Sequence, residues 1–367
     1  MDRWPGKTED RRHPGAEGPP VTTLDALLPT AEPLGLIDAE GNALGGDLPP
    51  DEILLELYRR MVVGRRFDAQ ATALTKQGRL AVYPSSRGQE ACQIGAVLAM
   101  REQDWLFPTY RDSVAIVSRA VPPAEVLSLL RGEWHCGYDP HAHRVAPQCT
   151  PLATNTLHAV GLAHAARLKG EDTVAVVLLG DGATSEGDTH EALNFAAVWK
   201  APVVFLVQNN GYAISVPLSK QTAAPSLAYK GVGYGMRSML VDGNDAAMVY
   251  TAVKQAIASD GPTLIEALTY RIEAHTNADD ATRYRPSDEV QRWLGRDPIA
   301  RLETYLRARR LLDDAAAERL TAEAEERAAA VREEMNRDVE VDPAELFAHV
   351  YATPTPALVA QRKELES

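Results

Sequence analysis

The chain reads as an α/β protein built on a parallel sheet flanked by helices, and three observations predict it. First, residues 173–179 (TVAVVLL) and 203–208 (VVFLVQ) are near-continuous apolar runs. Such runs, without alternation, mark strands covered on both faces. Second, a helical stretch separates the two runs, as in a right-handed βαβ unit, which places strand-to-helix loops on one edge of the sheet. Third, the runs end in Gly180-Asp181-Gly182 and Asn209-Asn210-Gly211, turn sequences with oxygen-bearing side chains.

Taken in chain order, residues 1–48 are rich in Pro and Gly with little periodicity and read as an extended, partly disordered arm. Pro49-Pro50-Asp51 opens a helix in which Ile53, Leu54, Leu57, Tyr58, Met61 and Val62 share one face, with Gly78 as its stop. A second helix starts near Gly88, and shorter ones are expected over 111–120, 123–131 and 152–169. Strands are expected at 173–179, 203–208, 238–241 and 263–270, with helices over 188–199 and 245–259 between them. From Ser287 onward the pattern is helical again. Residues 311–338 form a charged, Ala-rich helix whose outer face suits solvent or another subunit. The chain thus divides into an arm (1–48), an α/β domain (49–310) and a helical C-terminal extension (311–367).

Composition narrows the function. The 367 residues carry a formal charge of −13, which argues against nucleic acid as a partner. The first twenty residues have no apolar core of signal-peptide length, and no apolar run could span a bilayer. Cys92, Cys136 and Cys149 make no disulfide framework, so a cytoplasmic, reducing location fits.

The chemistry concentrates where the two strands end. If they are parallel neighbours, Asp181 and Asn210 lie on adjoining loops. Hard oxygen ligands converging beside glycines suit a Mg²⁺-bound diphosphate. Asp181 offers a carboxylate, Asn210 an amide oxygen and Tyr212 a main-chain carbonyl. Gly182 and Ala183 offer N–H groups at the opening of the next helix. Gly180-Asp181-Gly182 alone is an ordinary turn; the paired Asn loop across one βαβ unit favours the cation. Ser185 stands where a dinucleotide fingerprint needs Gly, and no P-loop sequence occurs. His135, Cys136, His141, His143 and Cys149 cluster in sequence, but C-x₄-H-x-H-x₅-C fits no common zinc pattern.

GDGATSEGD, QNNGYAIS, VDGND, GPTLIEALTYR and HTNADDATRYR together resemble the α subunit of thiamine-diphosphate-dependent 2-oxo acid dehydrogenases, the decarboxylating first components of the pyruvate and branched-chain complexes. The likeness covers residues 48–312. It implies a thiamine-diphosphate-binding fold, thiamine diphosphate and Mg²⁺ as cofactors, and an α₂β₂ heterotetramer with a β subunit that completes the site. A lipoyl-bearing acyltransferase component is the implied second partner. By the resemblance, Asp181, Asn210 and the Tyr212 carbonyl hold Mg²⁺, and Gly180, Gly182 and Ala183 meet the diphosphate. Tyr110 and Arg111 contact the same group, and Thr150 and Leu152 lie near the cofactor rings. His275 matches the catalytic histidine, and a ring titrating near neutrality could donate or accept a proton. Val82 and Tyr83 are expected to line the acyl pocket. The implied substrate is a branched-chain 2-oxo acid such as 3-methyl-2-oxobutanoate, with pyruvate the alternative. A non-catalytic scaffold and an unrelated nicotinamide-dependent dehydrogenase are the competing classes.

Overall fold

The computed structural model describes residues 24–338 and 342–366. Seven strands occur among them: β1 (Trp105–Phe107), β2 (Ala175–Gly180), β3 (Val203–Asn209), β4 (Tyr212–Ala213), β5 (Val216–Pro217), β6 (Arg237–Asp242) and β7 (Thr263–Leu268). Five form one all-parallel sheet in the order β1-β2-β3-β7-β6, and β4 and β5 form a small antiparallel hairpin. All carboxyl ends of the main sheet therefore share one edge.

The unbroken apolar runs have a simple cause, because each face of the sheet has its own core. Val176, Leu178, Val204 and Leu206 pack with the helices Asp51–Lys76, Glu90–Ala99 and Ala246–Ile257. Ala175, Val177, Leu179, Val203, Phe205 and Val207 face the opposite way, against helices Thr154–Lys169 and Gly187–Trp199. A large apolar side chain buried in this way contributes ~1.5–3 kcal/mol, and the polar residues the strands do carry, such as Glu266 of β7, are hydrogen-bonded. The helix Glu90–Ala99 lies so close to Ala246–Ile257 that a Cβ on Gly95 would sit 2.9 Å from Val249 Cβ.

Several boundaries shift for identifiable reasons. The helix expected over 111–120 begins at Ser113, because the Asp112 carboxylate turns back to accept the Thr109 N–H. The strand expected over 263–270 stops at Leu268 in the sheet, where the Thr269 hydroxyl lies within donating distance of the Gly88 carbonyl and of Asn244 Oδ1. Gly182–Ser185 is a separate 3₁₀ turn ahead of the helix Gly187–Trp199, so Gly182 and Ala183 belong to the turn and not to the helix opening. Strand β1 and the β4–β5 hairpin were not expected from the sequence.

Residues 1–23 of the expected arm lie outside the described residues. The rest of it is anchored. Leu34 bridges to Val241 of β6, Ile37 is buried, and Asp245 Oδ2 accepts the N–H groups of Leu36 and Ile37 at 2.6 and 2.8 Å. At the other end, the helix Asp314–Met335 lies along Asp51–Lys76, burying Ala324, Ala328, Val331 and Met335. Arg59–Glu323 and Arg66–Glu325 ion pairs run beside that seam. Its inner face is thus already covered within this chain. Among the described residues no helix is long and apolar enough to cross a membrane.

Candidate active site

Strands β2 and β3 are hydrogen-bonded neighbours, with Gly180 opposite Gln208, so the loops that follow them lie side by side. They touch: a Cβ on Gly182 would fall 2.7 Å from the Cβ of Ala213. Beneath these tips opens a cavity of about 480 Å³. Its wall brings together Tyr110, Arg111, Leu152, Gly180, Asp181, Gly182, Ala183, Asn210, Tyr212 and His275.

Asp181 is 1% exposed, and burial pushes its carboxyl above the ordinary range. Gln221 Nε2 donates to its Oδ2 at 2.7 Å and opposes that shift. A buried carboxylate with only neutral donors is in need of a cation. Asn210 lines the same cavity, and its Oδ1 accepts the Tyr212 N–H at 3.1 Å. The Tyr212 hydroxyl is spent on Glu289, so this residue can offer a cation its main chain and not its phenol.

The cavity wall also carries two guanidinium groups. Arg111, at the start of the segment leading into Ser113–Ser118, donates to the carbonyls of Ser85 and His275 at 3.0 Å each. Arg271, which follows β7, donates to the Ile214 carbonyl at 2.9 Å and to the Tyr284 hydroxyl at 3.0 Å. Both guanidinium groups also reach His275 Nδ1, each at 3.1 Å. Among the described residues neither has a carboxylate within salt-bridge distance. Burial, then repulsion from Arg111, lowers the Arg271 pKa. Two buried cations so close, partnered by neutral acceptors, make a site for an anion.

The same pair decides the state of His275. A guanidinium can only donate, so Nδ1 must carry its lone pair and the ring proton sits on Nε2. Burial, then Arg111 and Arg271, lower the ring pKa to about 4. The expectation of a histidine titrating near neutrality is therefore corrected: at pH 7 it is a neutral Nε2–H donor. Asp279 accepts the His275 main-chain N–H at 2.8 Å and fixes the loop.

Three expected site residues lie off this wall. Thr150 is exposed, although Leu152 two residues on lines the cavity. Val82 and Tyr83 sit behind the His275 loop, where Tyr83 N–H meets Asn277 Oδ1 and its hydroxyl donates to Asp68 at 2.9 Å. In the Cys/His segment, Cys136 and Cys149 bond to main-chain carbonyls. Among the described residues no group of three or more His, Cys, Asp or Glu side chains could hold a metal ion. Sequence reasoning missed Arg271, Gln89, Gln208, Lys220 and Gln221, all on the cavity wall. Arg271 and Gln208 carried a signal, since each is a long polar side chain at the end of an apolar strand.

Residues 58–343 match the family model described as "Dehydrogenase E1 component". The chain belongs to the dehydrogenase E1 component family. Within it, the 3-methyl-2-oxobutanoate dehydrogenase subunit alpha of Mycobacterium tuberculosis (strain H37Rv) is 48% identical over 345 residues, covering 92% of this chain and 94% of that protein. The pyruvate dehydrogenase E1 component subunit alpha of Staphylococcus aureus (strain N315) is 41% identical over 295 residues, covering 78% and 80%. The E1 match contains every residue of the cavity wall, from Gln89 to His275.

Proposed function

We propose that this E1 chain is the α subunit of a 2-oxo acid dehydrogenase and binds thiamine diphosphate through Mg²⁺. The observation that carries the proposal is the pairing of opposite needs in one cavity. Asp181 and Asn210 offer oxygens to a cation, while Arg111 and Arg271 await an anion. A magnesium diphosphate satisfies both, and no isolated metal or isolated anion does.

In this reading Asp181, Asn210 and the Tyr212 carbonyl hold Mg²⁺. Gly182 and Ala183 let the diphosphate approach the turn, and Tyr110 and Arg111 clamp it. When bound, thiamine diphosphate supplies the electron sink that lets a 2-oxo acid lose carbon dioxide. His275 serves as a neutral Nε2–H donor to an oxygen of the substrate. Leu152, Ile214 and Val216 at the mouth keep water from the reacting centre; they are 39%, 53% and 42% exposed, which suits a face that a β subunit covers. The assembly would be an α₂β₂ heterotetramer passing its acyl group to a lipoyl-bearing acyltransferase component. Three free cysteines suit a reducing cytoplasm.

The substrate we favour is a branched-chain 2-oxo acid such as 3-methyl-2-oxobutanoate, on the strength of the M. tuberculosis relative; pyruvate is the alternative, on that of the S. aureus one. A pocket distinguishes such acids by only ~1–3 kcal/mol per methylene. The test is steady-state decarboxylation by the reconstituted αβ pair with 3-methyl-2-oxobutanoate, 2-oxobutyrate and pyruvate. The highest kcat/KM is expected for the branched acid. A preference for pyruvate selects the alternative, and no turnover of any of the three rejects the activity.

A further inference from the structure

Behind the cavity wall a line of buried side chains runs from a carboxylate to Asn210. Asp112, Gln208, Gln89 and Asn210 are 0%, 2%, 2% and 6% exposed. The links all point one way. Gln208 Nε2 donates to Asp112 Oδ1 at 2.7 Å, and Gln89 Nε2 donates to Gln208 Oε1 at 3.1 Å. Asn210 Nδ2 then donates to Gln89 Oε1 at 3.1 Å. The other Asp112 oxygen takes the N–H and hydroxyl of Thr109, both at 2.7 Å.

A primary amide is nearly symmetric in shape, so nothing steric decides which end of Asn210 faces the ion site. The carboxylate removes that freedom. It accepts and does not donate, so it draws the NH₂ end of Gln208. Gln208 must then show its oxygen to Gln89, and Gln89 its oxygen to Asn210. The last link turns the Asn210 NH₂ towards Gln89 and leaves Oδ1 on the side of the Tyr212 main chain. A flipped Asn210 would set an N–H group, which has no lone pair to give, against the cation.

We propose that Asp112, Gln208 and Gln89 form a one-way amide relay that orients Asn210 as a Mg²⁺ ligand, with Gln208 as the positioning residue. This inference rests on the reading of Asp181 and Asn210 as the cation site. The Tyr212 N–H on Asn210 Oδ1 holds the same orientation from the other side. A cation competes for that oxygen, and the relay holds the amide from behind during the exchange.

The experiment is calorimetric titration of the αβ complex with thiamine diphosphate over a series of Mg²⁺ concentrations. Gln208→Leu keeps the volume and cuts the relay. It should raise the half-saturating Mg²⁺ by about tenfold, in the range typical of lost support behind a metal ligand, and excess Mg²⁺ should restore cofactor affinity. Adding Gln89→Glu gives Asn210 an acceptor that needs no orienting, so the double variant should recover most of the loss. Gln89→Met removes the Asn210 acceptor directly, and the same rise is expected if Gln208→Leu does not assemble. An unchanged Mg²⁺ requirement in an assembled relay variant would overturn the proposal, as would a loss of affinity that excess Mg²⁺ cannot restore. If wild-type complex binds thiamine diphosphate equally well without Mg²⁺, the cation site itself is wrong, and that result is distinguishable from failure of the relay.

Discussion

Two guanidinium groups donate to one imidazole nitrogen in this site, and from that contact the behaviour of His275 can be worked out. Its ring pKa of about 4 lies below the ordinary 6.5. Between those values the folded protein binds fewer protons than the unfolded chain, so stability falls as pH drops from about 6.5 towards 4. In urea titrations, wild type should lose stability between pH 7 and pH 5. His275→Gln, which cannot titrate, should lose less, by on the order of 1 kcal/mol once solvent screening is allowed for. Equal losses in both proteins would show that the ring is not held neutral. None of this was legible in the sequence. Arg111 is 164 positions from His275, and only the fold brings them within 3.1 Å. The Asp181–Asn210 juxtaposition was legible, because it needed only two adjacent parallel strands and the residues that end them. Tyr83 shows the opposite case. It was expected to line the acyl pocket, but its hydroxyl serves the buried Asp68, whose carboxyl is pushed up to about 6 by burial.

At the level of elements, the strands with long apolar runs were readable and the short ones were not. Strand β1 is three residues, Trp105–Phe107, too short for any periodicity to show. It exists because β2 supplies a full ladder partner. The β4–β5 hairpin is two residues on two, and its tip holds Ile214 in the left-handed region at φ 56°. A β-branched residue avoids that region, so sequence rules do not place a turn there. Its carbonyl accepts from Arg271, one contact that favours the tip conformation. Close packing gives a separate prediction. Gly95→Ala would gain about 1 kcal/mol of helix propensity. The added methyl would meet Val249 Cβ at 2.9 Å, and overpacking of this kind costs about 1–3 kcal/mol. A net loss of stability is expected in denaturant melts, with thiamine diphosphate affinity of the αβ complex preserved. A gain in stability would mean that the two helices can move apart.

For the whole molecule, the cavity opens beside the exposed apolar side chains of Leu152, Ile214 and Val216, a face that the proposed β subunit would cover. We therefore expect the chain alone to bind thiamine diphosphate weakly and to decarboxylate no 2-oxo acid; robust turnover by β-free protein would refute the shared site. The overall layering followed from the sequence because strands buried on both faces have few other arrangements. The docking of Asp314–Met335 on Asp51–Lys76 did not, since a helix rich in Ala and charge looks much the same whether it meets water or a neighbour.

The margins of the sheet also bear on assembly. Along β6 the main chain of Leu34 bonds to Leu240 and Asp242, and along β1 Leu106 bonds to Arg144 and Ala146. Among the described residues, part of each flank is thus occupied by the protein's own irregular segments, which shortens the row of amides open to a foreign strand. Where the margins are covered in this way, quaternary contacts fall to side chains meeting across surfaces, so substitutions on helix exteriors are where association should be tuned.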